Sequence, residues 1–194
     1  MRVLEGPWRE TFALMWEAYR VGTIPVGAVV ADAEGVVVAR GRNRIFERDG
    51  DGQLAWTRLA HAEVNALAGL TPERVYDDLV LYTALEPCAL CVGATFAARV
   101  GTVRFAAADP YGGAVGRTEP SRDMQAHPVV FDGPQGGLGL VPELLHIRHF
   151  LWRRPANDRV VRFYRETRPD LVERAAALPA PPDATTLDAL LRLV

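Results

Sequence analysis

Segments with helical and strand-like periodicity alternate along the first 108 residues of the 194-residue chain, and this alternation restricts its fold more than any other feature. Residues 7–21 place apolar side chains at helical spacing, whereas residues 24–31 and 36–42 are apolar runs separated by a short turn. The segments that follow are predicted helices and strands in turn: 59–70, 79–85, 89–100 and 103–108. The pattern predicts an α/β layer fold whose mixed sheet has a hairpin on one side and crossover-linked parallel strands on the other.

The second half of the chain is less regular in its pattern. Residues 109–139 are rich in Gly and Pro and predict a loop that contains one short strand at 129–131. Helices are predicted at 142–150, 158–165 and 186–193, with a proline-rich linker at 179–182 before the last of them. We divide the chain into a domain of residues 1–155 and a C-terminal helical extension of residues 156–194.

The composition is that of an ordinary globular protein, with 49% hydrophobic and 24% charged residues. The formal net charge of -2 provides no overall attraction to nucleic acid. Residues 1–8 carry charges and lack the apolar core of a signal peptide, and no apolar run reaches the ~18 residues that span a bilayer. We therefore expect a cytoplasmic protein without membrane association.

Cys88 and Cys91 are the only cysteines in the chain. Two thiols at this spacing at the start of a helix lie on one face, and the positive end of the helix favours thiolates. Taken alone, the pair fits a redox site or half of a structural zinc site equally well. A structural site needs a fourth ligand, for which the sequence offers His127, His146 and His149, in segments predicted to lie at the periphery.

A second motif, His-Ala-Glu at residues 61–63, favours a catalytic site instead. Together with Pro-Cys-Ala-Leu-Cys at residues 87–91, it matches the H-x-E and P-C-x-x-C signature of zinc deaminases. His61, Cys88 and Cys91 are then expected to hold one Zn²⁺ per chain. Three protein ligands leave one tetrahedral position open, which distinguishes a catalytic from a structural zinc site.

Glu63 is the predicted general acid and base of this site. Residues two apart in a helix point about 200° away from each other, so His61 and Glu63 can face one metal only from the first turn of a helix. From that position Glu63 would take a proton from water and return it to the ring nitrogen and then to the leaving amine.

Longer segments around these motifs resemble the cytidine deaminase superfamily. They are Ile24-Pro25-Val26-Gly27-Ala28-Val29-Val30, Gly41-Arg42-Asn43 and Leu81-Tyr82-Thr83-Ala84-Leu85-Glu86-Pro87-Cys88. The similarity covers about residues 8–118 and is nearest to the branch of bacterial tRNA adenosine deaminases and guanine deaminases. It implies a three-layer α/β/α fold with a mixed sheet of about five strands, zinc at the N-termini of the second and third helices, and a homodimer.

The same resemblance implies a set of substrate-binding residues. Asn43, at the end of the second strand, would hydrogen-bond the base, while Ala62 and the turn at Glu86 would line the pocket. Asp109 matches an acidic position that follows the fourth strand. The residues alone also allow simpler roles, because Asn43 can serve as a turn residue and Asp109 can cap the turn at residues 110–113.

Residues 45–57 form a loop that is longer than in related deaminases and is predicted to overhang the pocket. Trp56 in this loop would stack on a substrate ring, or would anchor the loop by packing. Related deaminases usually carry a triplet such as Asp-Pro-Thr before the His-Ala-Glu motif, whereas this chain has Arg58-Leu59-Ala60. The substrate of a relative therefore does not transfer directly to this chain.

We predict deamination of a free nucleobase or nucleoside with a guanine-, cytosine- or adenine-type ring, with release of ammonia. Adenosine deamination in a tRNA anticodon loop is the alternative. A basic stretch at residues 148–168 supports it, but acidic residues interrupt that stretch, and Glu47, Asp49 and Asp51 in the loop would repel RNA. A non-catalytic binding subunit with this fold is a further alternative, against which the intact Glu63 argues.

Overall fold

The computed structural model describes residues 6–117, 119–153, 158–181 and 187–189. Its elements follow in the order α1 (Pro7–Arg20), β1 (Gly27–Ala31), β2 (Val37–Arg42), α2 (Ala62–Leu67), β3 (Tyr76–Leu85), α3 (Ala89–Ala98), β4 (Val100–Ala107), α4 (Arg122–Ala126), β5 (Val130–Asp132), α5 (Leu140–Arg153), α6 (Arg159–Thr167) and α7 (Pro169–Ala176). Among the described residues, no helix is long and apolar enough to cross a membrane.

The five strands form one mixed sheet in the order β2-β1-β3-β4-β5. β1 pairs antiparallel with β2, to which a short turn joins it as a hairpin, and on its other side it also pairs antiparallel with β3. β3, β4 and β5 run parallel to one another, which requires crossover connections such as α3 between β3 and β4. The prediction of a hairpin on one side and parallel strands on the other is confirmed.

Helices cover both faces of the sheet, so the fold has three layers. On one face α2 packs against the central strands, and Ala66 and Leu81 belong to the hydrophobic cluster between them. On the other face Phe12 of α1 and Leu144 of α5 share a second cluster with Ala84 of β3. Odd and even positions of β3 point to opposite faces, which is why one strand contributes to both clusters.

Gly41 allows α2 to lie directly on β2. A Cβ atom at this position would meet the backbone oxygen of Ala62 at 2.3 Å, closer than any side chain permits. The start of α2 is therefore held beside the end of β2, where Asn43 follows. This contact brings two of the sequence motifs to one edge of the sheet.

The sequence pattern does not predict α4 or α7. α4 buries none of its residues, and Ser121 caps it by accepting a hydrogen bond from the backbone N–H of Met124. α7 follows α6 directly and buries only Leu171 and Ala175. Short helices with so few apolar residues carry little periodic signal. The strand predicted at 129–131 is present as β5, and most of the helix predicted at 186–193 lies outside the described residues.

The helices near the C-terminus pack against the main body of the fold. Val160 and Tyr164 of α6 and Leu171 of α7 belong to the same hydrophobic cluster as α1 and α5. The predicted boundary between residues 155 and 156 lies outside the described residues. His146 and His149 are 6% and 0% exposed, so the expectation that they are peripheral is wrong. The amphipathic α5 turns both side chains inward.

Candidate metal centre and active site

The three predicted ligands come together at the starts of two helices. His61 is the N-cap residue of α2, Cys88 is the N-cap residue of α3, and Cys91 lies in the first turn of α3. The Nδ1 atom of His61 lies 3.5 Å from Cys88 Sγ and 3.4 Å from Cys91 Sγ, and the two sulfurs are 3.6 Å apart. The prediction that the motifs occupy first turns is therefore confirmed.

These distances fit a zinc ion. Tetrahedral zinc with ordinary Zn–S and Zn–N bond lengths holds its donor atoms about 3.5–3.8 Å apart, which is the spacing found here. Within the described ranges, His61, Cys88 and Cys91 are the only group of three or more such residues whose donor atoms lie within 4.8 Å of one another. No fourth histidine or cysteine joins them there, so the geometry is that of a three-ligand catalytic site rather than a structural one.

Hydrogen bonding within the ligand group favours a thiolate. The bond between the two sulfurs lowers the pKa of Cys88 to about 4 and raises the pKa of Cys91. The pKa of His61 is raised, chiefly by its hydrogen bond with Cys88 and in part by the Arg58 carbonyl. An anionic sulfur is the form that binds zinc, so at least one ligand is charged at neutral pH.

Glu63 lies in the first turn of α2 and is only 4% exposed. Its Oε1 atom accepts a hydrogen bond of 3.1 Å from the hydroxyl of Thr83, and the neighbouring His61, Cys88 and Cys91 all influence the pKa of its carboxyl group. Burial raises the pKa of this carboxyl group. The structure thus places Glu63 beside a metal ligand, as predicted. Thr83 is a neighbour that the sequence reasoning missed, although it lies within the quoted strand motif.

Asn43 is 2% exposed and has a fixed orientation. Its Oδ1 atom accepts hydrogen bonds from the Thr23 hydroxyl at 2.7 Å and from the backbone N–H of Ile45 at 3.2 Å. Among the described residues, the Nδ2 group has no hydrogen-bond partner and remains a donor. Asn43 is therefore the turn residue that its position predicts, with an amide donor left over, and it is not among the residues that line the cavity described below.

Glu86 and Asp109 hold a loop, and neither lies on the cavity wall described below. The carboxylate of Glu86 accepts hydrogen bonds from the backbone N–H groups of Asp109 and Val115. Asp109 Oδ1 accepts from the backbone N–H groups of Tyr111 and Gly112. Asp109 thus caps the turn at residues 110–113, which is the simpler of its two expected roles. Ala62, the first residue of α2, is fully buried.

A cavity of about 480 Å³ opens beside the metal ligands. Three aromatic rings, three aliphatic or hydroxyl side chains, two arginines, one aspartate and a metal-ligand histidine line it: Phe46, Trp56, Phe150, Ile24, Ile45, Thr57, Arg58, Arg153, Asp158 and His61. Trp56 lies on the wall with more than half of its surface exposed, and the guanidinium of Arg48 is 4.2 Å from its ring centroid. The sequence reasoning identified Trp56 but missed the contributions of α5 and of the residue preceding α6.

Side chains from α2 and β2 hold the loop that carries Trp56. The side chain of Asn65 hydrogen-bonds both the N–H and the carbonyl of Leu54, and the N–H of Trp56 bonds the carbonyl of Arg44. Glu47 pairs with Arg42 and Arg44. These two arginines offset the charge of Glu47, which weakens the expectation that this residue repels RNA.

The arginines of the basic stretch at residues 148–168 lie in different surroundings. Arg148 donates to the Leu178 carbonyl, and Arg168 pairs with Glu143 at 3.6 Å. Three arginines lie exposed along α6 and form no ion pair with any described residue: Arg159, Arg162 and Arg165. Arg154 lies outside the described residues. Of the described arginines in this stretch, only Arg153 lines the cavity.

A mixed sheet, one histidine and two cysteine ligands at two helix starts, and a buried glutamate beside them define a zinc-binding deaminase domain. Residues 3–107, more than half of the chain, match the family described as the cytidine and deoxycytidylate deaminase zinc-binding region. The chain belongs to this family.

Individual relatives match shorter parts of the chain. A tRNA(Ile)-lysidine synthase of Deinococcus radiodurans is 42% identical over 118 residues, which are 58% of this chain and 19% of that protein. A tRNA-specific adenosine deaminase of Haemophilus influenzae is 36% identical over 116 residues, 58% of this chain and 62% of that protein. The chain thus spans less than two thirds of the length of either relative.

A solved structure of guanine deaminase from Nitrosomonas europaea resembles this chain with a TM-score of 0.56 at 22% identity. The similarity covers 76% of this chain and 86% of that chain. At this level of identity, the likeness establishes the shared fold.

Proposed function

We propose that this chain catalyses the hydrolytic deamination of a free nucleobase or nucleoside, in which an exocyclic amine is exchanged for oxygen and ammonia is released. The observation that carries the proposal is the buried Glu63 in the first turn of α2, two residues after His61, beside a group of three side chains that fits zinc. His61, Cys88 and Cys91 would hold the zinc, which would supply a water activated near neutral pH. Glu63 would transfer one proton of the attacking water to the ring nitrogen, and the second proton of that water to the departing amine, which leaves as ammonia.

The shape of the cavity supports a small, flat substrate. Its volume of about 480 Å³ is within the range of small-molecule sites, and three aromatic side chains on its wall can pack against a planar ring. Phe150 and Arg153 from α5, with Asp158 before α6, form part of that wall. The Nδ2 group of Asn43 is available to orient a base with an acceptor atom, such as a guanine-, cytosine- or adenine-type ring.

A tRNA anticodon loop is the second candidate substrate, and a separate observation supports it. Trp56 is more than half exposed on the cavity wall, with Arg48 against its ring and Arg58 exposed nearby. Exposed aromatic rings beside arginines are platforms on which single-stranded RNA stacks its bases. We favour the small substrate because a cavity of about 480 Å³ with three aromatic side chains on its wall suits a single planar ring.

We also propose that the chain forms a homodimer through the outer face of α3. This helix contains no charged residue, and its exposed positions are Ala89, Leu90, Gly93 and Ala97. An uncharged outer face is typical of an interface between subunits. Light scattering at several protein concentrations measures the mass, and a monomer at all of them contradicts this proposal. A cytoplasmic location stays a prediction from the sequence.

The test of activity is ammonia release by purified, zinc-loaded protein. The substrates are guanine, guanosine, cytosine, cytidine, adenine, adenosine and a tRNA anticodon stem-loop, each with Glu63→Gln as the matched inactive control. Release from a base or nucleoside supports the proposal, while release from the stem-loop alone favours the second candidate. No release from any of them by wild-type protein favours a non-catalytic binding subunit.

A further inference from the structure

Strand β3 carries a polar side chain in the middle of an apolar face. Leu81 and Leu85 point towards α2 and α3 and belong to the hydrophobic cluster on that side of the sheet. Thr83 lies between them on the same face, because side chains alternate along a strand, and it is 0% exposed. A hydroxyl at this depth needs a hydrogen-bond partner.

Glu63 is the partner of this hydroxyl. Thr83 Oγ1 donates to Glu63 Oε1 at 3.1 Å, and within the described part of the chain this is its one side-chain hydrogen bond. The packing of the strand does not itself require a hydroxyl, because valine has the same shape and is at least as favourable in a strand. The polar atom at residue 83 is therefore explained by Glu63 rather than by the fold.

We propose that Thr83 is a positioning residue that orients the carboxylate of Glu63 for proton transfer. α2 fixes the backbone of Glu63, but the end of a glutamate side chain can rotate. A hydrogen bond from the rigid central strand to Oε1 restricts that rotation, so Oε2 points in one direction. Proton transfer depends on such placement, because the donor and acceptor atoms must be within hydrogen-bond reach. The inference rests on the proposed deaminase function.

The decisive comparison is between Thr83→Val, which removes the hydroxyl and keeps the shape, and Thr83→Ser, which keeps the hydroxyl. With the substrate found in the ammonia screen, we expect kcat of Thr83→Val to fall about tenfold to a hundredfold, with KM nearly unchanged. Thr83→Ser should recover most of kcat. Thr11→Val is the matched control, since Thr11 is equally buried but donates to the Pro7 carbonyl within α1.

Three measurements separate positioning from a general loss of structure. Zinc content and melting temperature of Thr83→Val should stay close to those of wild type, and a crystal structure should show the Glu63 carboxylate rotated or spread over several orientations. The proposal is overturned if Thr83→Val keeps its kcat, if Thr83→Ser is equally impaired, or if the carboxylate stays in place in Thr83→Val. An inactive wild-type protein refutes the proposed function instead, and the crystal structure still decides the positioning.

Discussion

The guanidinium of Arg153 lies 3.4 Å from the centroid of the Phe46 ring. Phe46 follows the strand that ends at the metal site, whereas Arg153 ends α5, more than a hundred residues later in the chain. Both side chains line the cavity, so this contact joins two distant segments into one wall. A cation over an aromatic face is stabilised by the charge distribution of the ring, and this holds Phe46 in place.

Loss of this contact should weaken substrate binding. Arg153→Gln removes the charge over Phe46, and we expect KM for the substrate to rise about threefold to thirtyfold with a smaller effect on kcat. Steady-state kinetics measure both constants. Arg162→Gln on the exposed face of α6 is the matched control and should behave as wild type. Equal kinetics in the two variants would show that the Phe46 contact plays no part in binding.

Purified protein should contain about one zinc per chain, as a three-ligand site predicts. Cys88→Ala and Cys91→Ala should each lose the metal and melt at a lower temperature, because the ligands also join α2 to α3. Elemental analysis and thermal unfolding measure the two effects. His127→Gln, which changes an exposed histidine, should keep the metal. Stoichiometric zinc in both cysteine variants would contradict the assignment of the site.

Glu63→Gln should keep zinc and the fold but lose turnover by about 10²–10⁴-fold, because glutamine is similar in size and cannot transfer the proton. Zinc content, the circular dichroism spectrum and ammonia release test the three parts of this prediction. A variant with wild-type turnover would remove Glu63 from the mechanism, whereas loss of zinc as well would leave its role undecided between binding and catalysis.

Acid should destabilise the protein in part through His149. Burial, together with His146 and Arg153, lowers the pKa of His149 to about 3, while an unfolded histidine titrates near 6.5. Below about pH 6.5 the unfolded chain binds a proton that the folded chain does not, so the free energy of unfolding falls as the pH falls towards 3. The full contribution is present above pH 6.5.

His149→Phe should reduce this acid dependence. Neither ring nitrogen of His149 has a partner among the described residues, and phenylalanine keeps the parallel ring contact with Phe46. Between pH 6.5 and 5 we expect the variant to lose about 2 kcal/mol less stability than wild type in urea unfolding. His127→Phe on the surface serves as the control. Parallel curves for wild type and His149→Phe would show that His149 does not contribute.

A small substrate should make activity insensitive to salt. If few phosphates are neutralised on binding, kcat/KM should change less than about twofold between low and moderate salt. Replacement of Arg159, Arg162 and Arg165 by glutamine should also leave activity nearly intact, because these side chains lie outside the cavity. Deamination of a stem-loop that weakens steeply with salt, and that the triple variant loses, would favour the tRNA substrate.

The metal site could be predicted because each of its two motifs lies within a short segment of the chain. His61 and Glu63 are two residues apart, Cys88 and Cys91 three apart, and each pair needs only the first turn of a helix to face one metal. The order of strands and helices is also local, since it follows from periodicities of two and 3.6 residues. For these reasons the mixed sheet and the ligand set were both predicted.

The cavity and the surroundings of Glu63 could not be predicted in this way, because residues far apart in the chain form them. Phe150, Arg153 and Asp158 have no motif that marks them as wall residues, and only the packing of α5 against the sheet brings them near His61. The segment that contains His149 was expected to be peripheral. The sequence does not show which face of α5 is buried, because that depends on the elements that pack against it.

By itself, the sequence determined the deaminase fold, the three zinc ligands and the glutamate that would move protons. Only the tertiary structure decided which side chains shape the cavity and which hydroxyl holds Glu63. The physical reason is that spacing along the chain sets the direction of neighbouring side chains, whereas contacts such as Thr83 with Glu63 and Arg153 with Phe46 depend on how separate elements pack.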